Sequence, residues 1–283
     1  MNNLKLRASF GSLGNQKVRN NAWMRQITFD NFAAYSFDGS AMGRYATISA
    51  PNASDLTWET TTQTNIGIDW SMFNSRLIVT LDGYYKYTKD LLMNVPLPSP
   101  YPSIYRNEGE MSNWGLELAI NSVNIEKNDW RWTTDFNISM NRNKLEKLNL
   151  QQVYYYTQTS EALSEYVVRM TPGQPLSMFW GYTAKGVDPE TGMIIYEDYN
   201  GDGKVNVADK HYIGDANPLF TAGLTNTISW KGLNLSFLLT SSVGNDIYNA
   251  SKIEMIGMYT GGNQIKDVVR RWRIPGQITD IPK

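Results

Sequence analysis

The residues best spaced for chemistry lie between Asp198 and Asp209. Counting Asp198 as position 1 of Asp198-Tyr199-Asn200-Gly201-Asp202-Gly203-Lys204-Val205-Asn206-Val207-Ala208-Asp209, oxygen-bearing side chains fall at 1, 3, 5, 9 and 12, and glycine falls at 6. A Ca²⁺ ion takes six to eight oxygen ligands from a loop that must turn sharply near its middle, and the carbonyl of position 7 is one of them. The spacing therefore predicts one structural Ca²⁺ held by Asp198, Asn200, Asp202, Lys204 through its carbonyl, Asn206 and Asp209. Asp209 is shorter than the glutamate that usually closes such a loop, and the flanks do not read as paired helices. The competing reading is an Asx-rich turn held by its own backbone bonds, with no ion.

Other chemistry is thin. His211 is the only histidine and cysteine is absent, which removes Ser-His-Asp, Cys-His and multi-histidine metal sites; a single loop histidine reads as solvated. Glu108 and Glu110 beside Arg106 would point the same way on an extended segment, but a carboxylate pair for glycoside chemistry needs placed groups with split pKa values. They read as charged loop residues, and no catalytic residue is assigned, so the chain is not read as an enzyme. Tyr101, Tyr105, Tyr154, Tyr155, Tyr156 and Trp180 are candidates for stacking on sugar rings or peptide side chains, or for packing the loops themselves. A net charge of -1 lacks the basic footprint of nucleic-acid binding.

The elements that must position these residues are strands. Ile66, Ile68, Trp70 and Met72 alternate with Asn65, Gly67, Asp69 and Ser71, and after a turn at Asn74-Ser75 the residues Leu77, Val79, Leu81, Tyr85 and Tyr87 answer them. Each strand reads as roughly 10 to 12 residues, longer than the usual globular strand of about 5 to 6 and close to the length that crosses a tilted bilayer. Leu4 to Phe10 alternates in the same way until Gly11 and Gly14-Asn15. Ser112 to Asn121, Trp130 to Asn141, Phe220 to Trp230 and Leu233 to Val243 repeat the pattern. Between them, Asn15 to Thr60 and Asn143 to Pro218 read as long packed excursions, the latter with local strands such as Met193 to Tyr196. Val95 to Pro102, with proline at every second residue, reads as a stiff loop.

Connections along about seven strands alternate long and short, the habit of outer-membrane barrels with extracellular loops and periplasmic turns. Asn74-Ser75, Asn124 to Asp129 and Lys231-Gly232 then lie at the periplasmic rim, and the stretches near Trp23, Pro98, Asp198 and Trp272 lie outside the cell. No run of apolar residues is long enough for a spanning helix, and a barrel needs none. The expected fold is all-β, an antiparallel up-and-down membrane barrel segment. The alternative is a soluble carbohydrate-binding β-sandwich with a structural calcium ion, in which a second sheet buries the apolar face.

Ordered pieces of the chain resemble the SusC/RagA family of TonB-linked outer-membrane transporters. Leu4-Lys5-Leu6-Arg7-Ala8-Ser9-Phe10-Gly11 with Gly14-Asn15-Gln16 is similar to its "LKLR-S-G-GN" signature, and Leu56 to Thr61 before Asn65-Ile66-Gly67-Ile68-Asp69 to "L-WE-T-NIG-D". Tyr84 to Leu92, Asn107-Glu108-Gly109 with Gly115 to Leu118, Asp198 to Asp209, Ile213-Gly214, Pro218-Leu219-Phe220, Gly244 to Asn249 and Arg271-Trp272 extend the likeness over nearly the whole chain. The resemblance implies part of a plugged barrel of about 22 strands in the bacterial outer membrane. It further implies import of glycan or peptide driven through the TonB complex, with a SusD-like surface lipoprotein as lid. The opening Met1 to Lys5 has no charged-then-apolar export signal, so the chain is expected to be a barrel piece, residues 1–283, without the signal peptide, plug domain and final strands of such a transporter. Residues 181–214 form its calcium-type outer loop.

Overall fold

The computed structural model describes residues 2–17, 23–35, 43–50, 53, 55–95, 97, 103–149, 154–160, 163–258 and 261–283. The chain divides into two compact units, Met1–Gln151 with Ala222–Thr240, and Gln152–Thr221 with Ser241–Lys283.

In the first unit β1 (Asn3–Asn15) is followed by the ribbon β2 (Gln26–Tyr35) and β3 (Gly43–Ala50), then by β4 (Glu59–Met72), β5 (Leu77–Val95), β6 (Ile104–Lys127) and β7 (Trp130–Leu148). The second unit holds β8 (Tyr154–Ser160), β9 (Leu163–Met170), β10 (Met178–Gly181), β11 (Ala184–Val187), β12 (Ile194–Tyr196) and β13 (His211–Asp215). The chain then returns as β14 (Phe220–Trp230) and β15 (Leu233–Val243). Among the described residues β1-β4-β5-β6-β7-β14-β15 form one seven-stranded sheet, and each strand pairs with the next one in the chain that joins it. This is the up-and-down order expected from the alternating connections.

Several boundaries differ from the sequence reading. β5, β6 and β7 run for 19, 24 and 19 residues, well beyond 10 to 12, because pairing continues past the apolar stretch. β6 already starts at Ile104 and ends at Lys127, so the short turn is Asn128-Asp129 alone. Gly11 and Gly14 do not end β1; a Cβ on Gly14 would meet the Trp58 ring at 3.0 Å, so the glycine makes room for an indole instead of breaking the strand. The excursion after Asn15 contains the regular β2–β3 ribbon. Most of the proline stretch, Pro96 and residues 98–102, lies outside the described residues.

The register turns local alternation into rows. Leu6, Ile68, Leu81, Leu118 and Ile138 are successive cross-strand partners, as are Leu4, Trp70, Val79, Ile120 and Phe136. Alternate residues share a face, so these rows lie on one side of the sheet. On that side Leu6 is 72% exposed, Ile66 64% and Leu235 60%, unlike the buried inner face of a sandwich. The buried apolar cluster of Ala53, Val95 and Ile104 is small and sits where β5 and β6 end beyond these rows.

The second unit has a four-stranded sheet in the order β13-β10-β9-β8, the two-stranded ribbon β11-β12 and a short helix α1 (Ser251–Ile256). The excursion from Asn143 thus begins inside β7 and carries more regular structure than its composition suggests.

Candidate functional site

The calcium-type loop is closed by its first and last residues. The Asp198 carboxylate accepts from the backbone amides of Gly201 at 2.8 Å and Gly203 at 2.7 Å. Asp202 Oδ1 accepts from Lys204 N at 2.8 Å, and Asn200 Oδ1 from Asp202 N at 2.8 Å. Gly201 and Gly203 take φ of 75° and 82°, the left-handed region that glycine enters without a Cβ penalty. Asp209 is fully buried and reaches back to three amides, Tyr199 N at 2.9 Å, Asn200 N at 3.3 Å and Asn206 N at 2.7 Å. The Asn206 amide, ahead of the others, holds the Asp209 carboxyl below its ordinary pKa, with burial opposing. Among the described residues no group of three or more His, Cys, Asp or Glu is gathered as a metal cage. Asp198 is half-buried while Asn200, Asp202 and Lys204 are exposed; Asn206 Nδ2 donates to the Lys204 carbonyl at 3.3 Å and Asn206 Oδ1 accepts from Ala208 N at 2.9 Å.

His211 is half-buried rather than solvated. Its ring stacks on Tyr199 at 3.9 Å, Nδ1 donates to the Asp209 carbonyl at 2.9 Å, and Nε2 shares a hydrogen bond with Thr183 Oγ1 at 3.1 Å. The loop is thereby tied to the start of β13. A neighbouring turn at Asp188–Met193 is pinned by Trp272, whose Nε1 donates to the Pro189 carbonyl at 2.7 Å and whose ring lies where a Cβ on Gly192 would sit.

The polar face of the seven-stranded sheet carries a different arrangement. Arg7 donates to both oxygens of Asp69 at 2.9 and 3.0 Å and to Asp82 at 3.0 Å. Asp82 belongs to the second strand over, and Arg7 reaches it by lying across Gly67, where a Cβ would come within 2.3 Å of Asp82 Oδ1 and 2.8 Å of the guanidinium. One row away the same device recurs: Tyr84 crosses Gly115 to donate to Asn141 Oδ1. Arg7, Asp82, Tyr84 and Asn141, with Glu117 and Lys86, line an open concavity of about 620 Å³.

On the apolar face the row Phe10, Thr64, Tyr85, Trp114 and Arg142 places aromatics at the long-loop side, and Trp70, Trp130, Trp132 and Trp230 lie toward the short turns. From Trp114 to Ile125 there are 11 residue steps along β6, about 36 Å at ~3.3 Å each and about 26 to 30 Å across a membrane at the usual strand tilt. That matches the roughly 25 Å apolar band, flanked by aromatic girdles, of outer-membrane barrels.

Residues 2–259 match the family model described as TonB dependent receptor-like, beta-barrel. The chain belongs to this family. Relatives include TonB-dependent receptor P3 of Formosa agariphila, 31% identical over 99% of this chain and 29% of its own length, and TonB-dependent receptor SusC of Bacteroides thetaiotaomicron, 29% identical over 92% and 27%. The solved RagAB peptide transporter superposes with a TM-score of 0.81 at 28% identity, covering 99% of this chain and 31% of that one. The chain therefore spans under a third of the length of these relatives, and its sheet is a segment of an outer-membrane barrel wall with long outer loops and short periplasmic turns.

Within this barrel segment the aromatic candidates fall in both units. Tyr105 sits on β6 opposite Asn94, in the first unit. Trp180 belongs to the second, where Arg169 covers one indole face at 4.1 Å and Tyr212 meets it edge-on at 5.0 Å. Tyr154, Tyr155 and Tyr156 lie on β8 opposite Met170, Arg169 and Val168, but their side chains, like all of Tyr101, lie outside the described residues. Glu108 is buried at 3.7 Å from Arg106, and Glu110 accepts from the Tyr87 hydroxyl, so both are strand residues with structural partners rather than loop charges. Sequence reasoning missed the Arg7–Asp69–Asp82 cluster; the glycine between two charged rows was its only local signal.

Proposed function

We propose that this chain forms a wall segment of a TonB-dependent outer-membrane importer for peptide or glycan, energised through TonB and capped by a SusD-like lipoprotein. The observation that carries the reading is the two-sided sheet: continuous apolar rows on one face and a braced, hydrogen-bonded polar wall on the other. A wall of that kind faces lipid outside and water or protein inside. The likeness to a peptide transporter supports peptide as the first substrate class to test. Cells lacking the full-length protein, or lacking TonB, should each lose uptake of labelled oligopeptides or oligosaccharides. Unchanged uptake of every member of both panels would overturn the reading.

The same proposal includes one structural Ca²⁺ at Asp198, Asn200, Asp202, Lys204, Asn206 and Asp209. The ligand spacing along the chain supports it. Bound there, the ion would order the outer loop that meets lid or substrate. Chelator should raise the protease sensitivity of 181–214 in the full-length protein but not in Asp202→Ala, which should already be sensitive. Equal protection of the wild-type loop with and without chelator would reduce the motif to an Asx turn. Stacking of substrate on Tyr101, Tyr105, Tyr154, Tyr155, Tyr156 and Trp180 rests on their aromatic character alone.

A further inference from the structure

The apolar face changes character near the short turns. Below the row ending at Ile120 and Phe136, Asn124 Nδ2 donates to Thr134 Oγ1 at 2.7 Å, Thr134 Oγ1 donates to Asn226 Oδ1 at 2.7 Å, and Trp132 Nε1 donates to the same Asn226 oxygen at 2.9 Å. Asn226 is only 8% exposed, so its side chain is spent on this network. Such a chain of polar groups marks the level at which hydrocarbon gives way to the interfacial region.

Just beyond it, Trp130 and Trp230 stack at 5.3 Å and remain 48% and 39% exposed. Lys127 is the cross-strand partner of Trp130 on this face, and Lys231 Nζ lies 5.6 Å from the Trp230 ring centroid. Glu126 and Arg131 pair one position along and therefore point to the opposite face. Among the described residues neither Lys127 nor Lys231 has a carboxylate in ion-pair contact. Asp129, in the intervening turn, offsets one of these two charges, and Arg76, which donates to the Val123 and Asn124 carbonyls, adds a further cation at the same rim. Lys231 holds φ of 44°, which fixes the turn against the indole.

We propose that the Trp130–Trp230 stack with Lys127 and Lys231 is a binding site for the phosphate headgroup of an anionic phospholipid in the periplasmic leaflet. The site continues the lipid-facing surface, and its charge complements the ligand. The stacked indoles, apolar in body and polar at the N–H, suit the glycerol level, while two ammonium groups in reach of the interface suit a phosphate and favour a lipid with net negative charge. The proposal depends on the membrane face of the barrel and not on what the full-length protein imports.

The test uses the full-length protein purified in detergent and mixed with defined lipids, with retained lipid read by native mass spectrometry. Wild type should retain phosphatidylglycerol over phosphatidylcholine, and the Lys127→Gln/Lys231→Gln double variant should lose about 30-fold of that preference. Heat-dependent gel mobility verifies that the barrel is folded, and the charge-keeping Lys127→Arg/Lys231→Arg variant should behave as wild type. No lipid preference in wild type overturns the proposal, as does an unchanged preference in the Gln variant. Displacement of bound lipid by millimolar inorganic phosphate would also overturn it, since the site would then take free phosphate.

Discussion

Replacing Ile138 by arginine tests the depth of the apolar face. Ile138 closes the row of Leu6, Ile68, Leu81 and Leu118, with four residue steps to the row of Trp114 and Arg142 and four to the row of Ser122 and Thr134. At ~3.3 Å per residue and the usual tilt, that is about 10 Å of depth on either side, which puts Ile138 near the bilayer midplane. A cation there costs about 2 to 4 kcal/mol, whereas one near the interface costs about 0 to 1 kcal/mol. Leu77, which pairs with Met72 and Ser122 at the short-turn end of the same face, supplies the interface position. Asn137, next in sequence but on the polar face, supplies the third, where a surface-like change stays within about 0.5 kcal/mol. The assay is urea unfolding of the full-length protein in lipid vesicles, followed by tryptophan fluorescence. The expected order of destabilisation is Ile138→Arg well above Leu77→Arg, with Asn137→Arg least. Equal effects at Ile138 and Asn137 would refute the facing of the sheet, and equal effects at Ile138 and Leu77 would refute the depth.

Gly67→Val should lower the unfolding midpoint because its side chain collides with Asp82 and Arg7 and breaks their pair; in an Arg7→Ala/Asp82→Ala background the same change should cost much less, and an additive result would refute the bridging role of the glycine. The folded pKa of Asp209 lies below its unfolded value, so the stability it lends the loop is present above the unfolded pKa and is lost as pH falls through the folded one. Protection factors at the Tyr199, Asn200 and Asn206 amides, taken relative to the intrinsic rate at each pH, should therefore fall in acid, and Asp209→Ala should show low protection at every pH; protection unchanged through that acid range would contradict the role given to the carboxylate. A peptide tag after Gly201 should be labelled on intact cells and one at Lys231 should not, and labelling at Lys231 alone would invert the barrel.

The sequence by itself determined which residues share a face, because strand alternation has a period of two and is a purely local property. It also marked the short turns and the long loops, since turn formers interrupt the alternation at Asn74-Ser75 and Lys231-Gly232. Strand ends were not legible: Arg106 to Glu110 read as a loop, yet pairing with β5, including bulges near Leu91, carries β6 back to Ile104. Nor could the sequence reveal that Arg7 lies over Gly67 between two aspartates, that Tyr84 lies over Gly115, or that Asn226 joins Trp132 and Thr134. Those partners are 62 to 94 positions apart for Arg7–Asp69 and Trp132–Asn226. They meet only once hairpin register is set, and a shift of one residue would send every one of them to the other face. His211 shows the same limit on a small scale: its type suggested a free ring, while the return of the loop onto β13 supplied Tyr199, Thr183 and the Asp209 carbonyl. Facing is written residue by residue, but neighbours across strands exist only after the chain has closed the distance between them.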